Sequence, residues 1–382
     1  MDQFYSSLAV TRTTASPPND VTAPGDDQTI IEAIPVFANS LDGGWLGKIS
    51  TTVILLFGTF GNVMTVIILR RLRSGWSAMN VYLTALALSD TAMLYCVALP
   101  MWARKVLDYD VYTSHVIICK LTVWGMNLAS ISSAWLLVAL TAQRAASVVW
   151  PHRVNVICTR HKSLVISVTI MVGCGFLQSH MLYGGRLVKI NNGTTETCTF
   201  RSTAYQEFYT RVWIKVTTFL YSVLPCVCLI VSNVIIGWKL TGAMKEAKEK
   251  FSARSENRKD SRQKKASSVT VTIITVSVAF IIITVPFMIY SSVFYASTPS
   301  EIHLFLYDTL FVIGLFNFAW NFYLYCLTGS KFREEFKKIM FGCCGPVMSA
   351  VGSSYVIEGN NQVSAIGNRA EKERDLESND DF

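Results

Sequence analysis

The sequence predicts an all-α membrane protein: a seven-transmembrane helix bundle with a short amphipathic C-terminal membrane-surface helix. Three observations predict it. The chain is 51% hydrophobic and only 16% charged, where a soluble chain carries about a quarter charged residues. Its apolar residues fall in seven long runs, and about 20 such residues cross a bilayer. Its basic residues crowd into alternate connections between those runs, the asymmetry that orients membrane proteins.

The seven runs cover residues 47–69, 79–103, 116–149, 163–183, 212–239, 267–295 and 303–327. Several exceed the bilayer thickness, so tilting or extension beyond it is expected. The fourth is the weakest, because it holds Gly173, Gly175, Gln178 and His180. The N-terminus lacks the basic start and apolar core of a cleaved signal peptide, so the first span is expected to serve as its own insertion signal. Residues 1–46 form an acidic, proline-containing tail with little material for a core. Residues 47–327 form the bundle, 328–344 the surface helix, and 345–382 a second polar tail.

Charge sets the orientation. Arg70, Arg71 and Arg73 follow span one. Arg153, Arg160 and Lys162 separate spans three and four. A Lys/Arg-rich stretch, 239–265, separates spans five and six, and Lys331, Arg333, Lys337 and Lys338 follow span seven. With alternating spans all of these lie on one side, which the positive-inside rule makes cytoplasmic and which places the N-terminus outside. The expected location is the plasma membrane. The net charge of +8 thus suits anionic membrane lipids. It does not suggest nucleic acid, since no basic stripe interleaved with aromatics occurs on a soluble domain.

Most of the ten cysteines lie inside spans, where a small apolar residue suffices. Cys119, at the start of span three, and Cys198, in the loop after span four, both face the oxidising exterior. A disulfide between them is expected, with two free thiols as the alternative. The same loop holds the glycosylation sequon Asn192-Gly193-Thr194. After span seven, Phe332, Phe336, Ile339 and Met340 recur at helical spacing between basic residues. Such a helix suits the inner leaflet, or else an ordinary protein surface. Cys343 and Cys344 end it as palmitoylation candidates.

Polar residues inside spans are costly and point to function. Asn62, Asp90, Ser133, Asn317 and Asn321 fall within four different spans. Together they would form a polar cluster around one carboxylate, holding either a sodium ion or structural water. Arg144 ends span three. Its head either snorkels to the interface or faces the bundle and changes partners as the helices move.

These residues, in order, resemble a rhodopsin-like (class A) G protein-coupled receptor over residues 45 to 344. The likeness rests on Asn62, "LALSD" ending at Asp90, Cys119, Arg144, Pro225, Phe280, Pro286 and "NFYLY" at 321–325. "VYLTALALSD", "SAWLLVALTAQR" and "NFAWNFYLYCLTGSKFREEF" look most like invertebrate neuropeptide receptors, the FMRFamide-receptor-like group. The resemblance implies that Arg144 is the arginine of an E/D-R-Y motif, that Tyr325 is the tyrosine of NPxxY, and that Asp90 is the sodium-site carboxylate. It also implies the Cys119–Cys198 bond. Asn233 is placed with Arg144 and Tyr325 at the G-protein-coupling end. There are departures. Gln143 replaces the acid beside Arg144 and Ala145 the tyrosine. Phe322 replaces the NPxxY proline, Thr284 the usual span-six tryptophan, and Asn233 a span-five tyrosine. An amide restrains a guanidinium less than a carboxylate does, so raised basal signalling is expected.

The resemblance also limits the ligand. Met126 and Asn127 stand where amine receptors carry an aspartate, and span seven has no lysine for a retinal Schiff base. Trp102, Arg104, Met126, Asn127, Lys215, Tyr290, Tyr307 and Asp308 are the candidate ligand residues. They mix aromatics with both signs of charge, as suits a short extracellular peptide. The alternative is a chemosensory receptor of the same fold for a non-peptide small molecule. Expected partners are a heterotrimeric G protein, and arrestin with receptor kinases at the serine-containing tail. No cofactor is expected beyond an allosteric sodium ion. The five scattered histidines offer no metal-ligand spacing and no nucleophile–base constellation appears, so the chain is not expected to be an enzyme. Repeated halves with broken helices, the mark of transporters, are absent.

Overall fold

A computed structural model describes residues 45–72, 77–190, 195–251, 257–294 and 301–341. The expected tails, the Asn192 sequon and the Cys343–Cys344 pair lie outside the described residues.

Among the described residues six helices are long and apolar enough to cross a membrane, and a bent pair makes a seventh span. They are α1 (Gly47–Arg71), α2 (Ala78–Leu107), α3 (Val116–Val149), α4 (Arg160–Gly184), α5 (Thr203–Gly242), α6 (Thr270–Ser291) and α7 (Phe305–Phe316, then Asn321–Thr328 after a 52° bend). A further helix, α8 (Ser330–Phe341), follows. Residues such as Leu56, Phe57, Val172, Phe176, Ile230 and Val234 point outward, as they do when the solvent is lipid rather than water. The inward faces pack around Leu94, Leu136, Leu140, Leu229, Ile273, Phe280 and Phe318. In hydrocarbon every backbone group must find a partner within the protein, and the irregular points of the bundle obey this rule.

Two prolines follow widened turns. The π-helical turn Leu94–Ala98 precedes Pro100, and Phe219–Val223 precedes Pro225. Each widening accommodates a position where no N–H can be donated. The Tyr112 hydroxyl donates to the Cys96 carbonyl in the first of these turns at 3.2 Å. Tyr112 sits in the α2–α3 connection, and burial pushes its hydroxyl well above the ordinary range. Span four, the weakest in sequence, is helical despite its glycines. It is held by the Trp124 indole, which donates to the Gly175 carbonyl at 3.0 Å. A Cβ on Gly175 would sit 3.4 Å from the Trp124 ring, an ordinary van der Waals contact, so the bond itself does not require glycine.

The loop after α4 is a two-stranded antiparallel hairpin, β1 (Gly185–Ile190) and β2 (Thr195–Phe200). Hydropathy gave no sign of it, because its strands are short and polar. The Cys119–Cys198 disulfide fastens β2 to the start of α3, with Cα atoms 5.8 Å apart. Span five also begins earlier than its apolar run, at Thr203. Ser202 caps it by accepting the Tyr205 N–H.

The bend in α7 does not use a proline. Asn317, Phe318 and Ala319 donate to carbonyls three residues back, so the chain tightens and turns. Phe322, where a proline was the family expectation, is buried against Phe60, Phe332 and Phe336. The Arg333 guanidinium then donates to the Cys326 and Leu327 carbonyls at the end of α7. That settles two of the terminal acceptors and fixes α8 against the bundle through buried Phe332.

Replacing Trp124 by Phe should leave the Gly175 carbonyl without its donor. The expected loss is about 1–3 kcal/mol of stability, read as a lowered Tm of the detergent-solubilised protein. An unchanged Tm would show that α3 and α4 do not depend on this bond.

Candidate functional site

Three regions carry unusual chemistry. The first is the buried carboxylate of Asp90, on α2. Its Oδ1 accepts the Ser133 hydroxyl of α3 at 2.6 Å, and its Oδ2 accepts the Asn321 amide of α7 at 2.7 Å. Helical geometry lets this happen. Asp90 and Ser133 fall on the inward stripes of their helices, and Asn321 is the first residue after the α7 bend. Asn62 reaches the same break from α1, its amide donating to the Phe318 carbonyl at 3.1 Å. Asn317 is buried within the break. So Asp90, Ser133 and Asn321 meet directly, while Asn62 acts one step away. Among the described residues no cation pairs with Asp90. The carboxylate is thus met by two donors, a hydroxyl and an amide nitrogen, one on each of its oxygens.

The second region is a cavity of about 180 Å³ between α3, α5, α6 and α7. Met126, Asn127 and Ser130 line it from α3; Tyr209, Thr217, Thr218 and Tyr221 from α5; Thr284, Phe287, Met288 and Ser291 from α6; and Tyr307, Phe311 and Phe318 from α7. Phe287, Tyr307 and Phe311 form one aromatic wall, with centroids 5.5–6.4 Å apart. Thr284, in place of a tryptophan, is buried at the cavity beside the Tyr221 hydroxyl.

Of the eight residues that sequence singled out for a ligand, Met126, Asn127 and Tyr307 line this cavity. Trp102, Arg104, Lys215, Tyr290 and Asp308 do not. Trp102 and Arg104 close the end of α2. Asp308 is buried beside Tyr307. Lys215 is exposed on the row of α5 that carries Val212 and Phe219, three and four residues away, and therefore faces out of the bundle. Among the described residues no charged side chain lines the cavity. The mixed charge read from the sequence belongs to the span ends. Tyr221, Thr217 and Ser130 were missed. Nothing in an apolar run marks which polar residue faces inward until the phase of the helix is known.

The third region is the opposite end of α3. The Arg144 guanidinium donates through Nη2 to the Met79 sulfur, at the start of α2. Its Nε is buried without a partner, and so is Oε1 of Gln143. Asn233 of α5 exchanges hydrogen bonds with Ser277 of α6, at 2.8 and 3.1 Å. Tyr325 is buried edge-on against Phe332 at 5.5 Å. Arg144, Asn233 and Tyr325 therefore keep separate partners in this arrangement.

Comparison with known proteins agrees with this architecture. Residues 61–325 match the family model described as 7 transmembrane receptor (rhodopsin family). The growth hormone secretagogue receptor type 1 of Mus musculus is 26% identical over 83% of this chain and 86% of its own length. The Rattus norvegicus protein of the same name matches equally. The cholecystokinin receptor type A of Rattus norvegicus is 26% identical over 54% of this chain and 46% of its own.

Asn321→Ala should leave Asp90 Oδ2 buried and unpaired. Losing a hydrogen bond to a charged group costs about 1.5–3 kcal/mol, so a clear drop in Tm is expected. A Tm equal to wild type would mean that water replaces the amide without cost.

Proposed function

Because the chain belongs to the rhodopsin family of seven-transmembrane receptors, a family of receptors and not enzymes, we propose that it binds a short extracellular peptide and activates a heterotrimeric G protein. The observation that carries this reading is the pairing of a cavity between α3, α5, α6 and α7 with a guanidinium at the far end of α3. Relatives named as receptors for growth hormone secretagogues and for cholecystokinin support a peptide ligand. The narrower likeness to FMRFamide-like receptors rests on the quoted stretches alone, since these relatives are vertebrate receptors.

The uncharged lining constrains the ligand. A buried ionic group without a partner is costly, so the part of the peptide that enters the cavity is neutral and largely apolar. Charges on the peptide meet Arg104 and Asp308, nearer the span ends. The ligand shifts the population only by binding the active arrangement of α5 and α6 more tightly. In that arrangement Arg144 leaves Met79 and, with Asn233 and Tyr325, faces the G protein. A non-peptide chemosensory ligand of the same neutral character remains the competing reading.

Orientation follows from charge. The ends of α1, α3 and α5 and all of α8 lie with the basic excess and are cytoplasmic, and the hairpin with its disulfide is outside. Asn192 is then positioned for glycosylation, and Cys343 and Cys344 for palmitoylation at the inner leaflet. Arrestin and receptor kinases act on the serine-containing tail.

Two measurements test this. In cells expressing the full chain, screened against short peptides, one peptide should activate a G protein through wild type and not through an equally surface-expressed Arg144→Ala. Silence toward all peptides with a response to a small neutral molecule would favour the chemosensory reading. Separately, if Asp90 holds sodium with Ser133, Asn317 and Asn321, replacing potassium by sodium should raise the Tm of wild type and leave Asp90→Asn unmoved. Equal shifts in both proteins would exclude an ion there.

A further inference from the structure

A third widened turn has no proline to explain it. The π-helical turn Tyr209–Trp213 lies near the start of α5, and no proline stands in that helix before Pro225. Such turns gather at functional sites. This one is fastened at both ends. Tyr209 lines the cavity and packs on Phe200 of the hairpin, with ring centroids 5.0 Å apart. Trp213 turns to α4. Its indole donates to Oε1 of the buried Gln178 at 3.2 Å, and its ring meets the His180 imidazole edge-on at 4.2 Å. His180 Nδ1 lies 2.7 Å from the Tyr205 hydroxyl, which also reaches the His180 carbonyl at 3.3 Å. Tyr205 fills the space that a Cβ on Gly184 would need, and its ring is 5.9 Å from that of Phe200. One chain of contacts thus runs from His180, through Tyr205 and Trp213, to the Tyr209 side of the cavity.

We propose that His180 is a proton-operated joint between α4 and α5: acid outside the cell opens the joint and loosens the Tyr209 side of the cavity. The Tyr205 hydroxyl has one proton. It either donates to the His180 carbonyl and accepts from Nδ1–H, or donates to Nδ1. In both cases Nε2 is buried without a partner. An imidazolium carries two N–H groups, and here only the one on Nδ1 finds an oxygen. Its charge would stand among the rings of Tyr205, Phe208 and Trp213. Among the described residues no carboxylate pairs with His180. On α5 the exposed Glu207 pairs with Arg211, and after β2 Arg201 lies over the Tyr183 ring of α4. The open joint offers water to the same N–H. Protons therefore bind the open joint in preference, and the closed joint weakens as pH falls through the imidazole range. Solvent reaches this end, since α5 is 40 residues long where about 20 cross a bilayer. Resting on the reading of the cavity as the peptide site, a bound peptide leaves more readily in acid.

The test needs no peptide. Amide hydrogen exchange of the full chain in detergent is followed over residues 178–185 and 203–213. It is read at about pH 7.5 and about pH 5.5, towards either end of the imidazole range, with each rate divided by the intrinsic rate at that pH. In wild type both segments should exchange roughly tenfold faster at the lower pH, the change that one pH unit below the ordinary imidazole value supplies. His180→Asn places an amide N–H near the position of Nδ1 and cannot titrate, so its corrected rates should be equal at the two pH values. Residues 230–240, in the other half of α5, should not respond in either protein. Equal corrected rates in wild type would overturn the joint. So would the same rise in His180→Asn, which would trace the response to another group. Slower exchange in acid would overturn it as well, by showing the imidazolium held on the Trp213 ring as a cation–π pair. Should His180→Asn fail to fold, His180→Phe keeps a ring beside Trp213 without a titrating group and carries the same expectation of no pH response. None of these outcomes depends on which peptide the receptor binds, so the joint and the peptide reading fail separately.

Discussion

A single buried carboxylate organises the bundle. Asp90 gives one oxygen to Ser133 of α3 and the other to Asn321 of α7, so three helices share one carboxyl group. A charge placed in hydrocarbon is tolerated only where partners are fixed around it. The register of α2 against α3 and α7 is thereby set to within a hydrogen bond. Neighbouring features depend on that register. The Ser89 hydroxyl, one residue earlier, reaches the Ala129 carbonyl at 3.0 Å. The α7 break, met by Asn62, comes immediately before Asn321.

The two ends of the molecule differ in how tightly their polar atoms are held. Around the cavity, many hydroxyls are spent on their own helices: Ser130 donates to Asn127, Thr217 to Trp213 and Ile214, and Ser291 to Met288. Their lone pairs stay open to whatever enters. At the other end of α3, Gln143 and Arg144 both keep a buried atom unmatched. Unmatched buried polar atoms cost stability and need a reason. A side chain that must later find a different partner is one such reason.

Much of this was legible in the sequence, and the limits were physical. Hydropathy located all seven spans because a bilayer demands long apolar runs. Residues 61–325 then matched a seven-helix receptor family. The polar cluster was legible because a carboxylate in an apolar run has few explanations, and Asp90, Ser133 and Asn321 do meet. The cavity was only partly legible. Met126, Asn127 and Tyr307 were found by position, but Lys215 was misleading, since its charge says nothing about which way its helix face turns. The hairpin was invisible to hydropathy, and Met79 was invisible altogether. A methionine in an apolar run carries no signal until a guanidinium from another helix is seen beside it.

The bend in α7 has a mechanical consequence. Where proline makes a kink, the missing donor builds the angle into the covalent structure. Here Phe322 stands in that place, and Asn317, Phe318 and Ala319 all keep their donors and use them on shorter-range acceptors. The angle is therefore set by where those donors find their acceptors, and not by a missing one. Its position depends on the grip of Asn62 on the Phe318 carbonyl and on the Phe322 ring seated between α1 and α8. The bend of the last span thus rests on side-chain contacts made by residues 62 and 322 and not on a covalent ring.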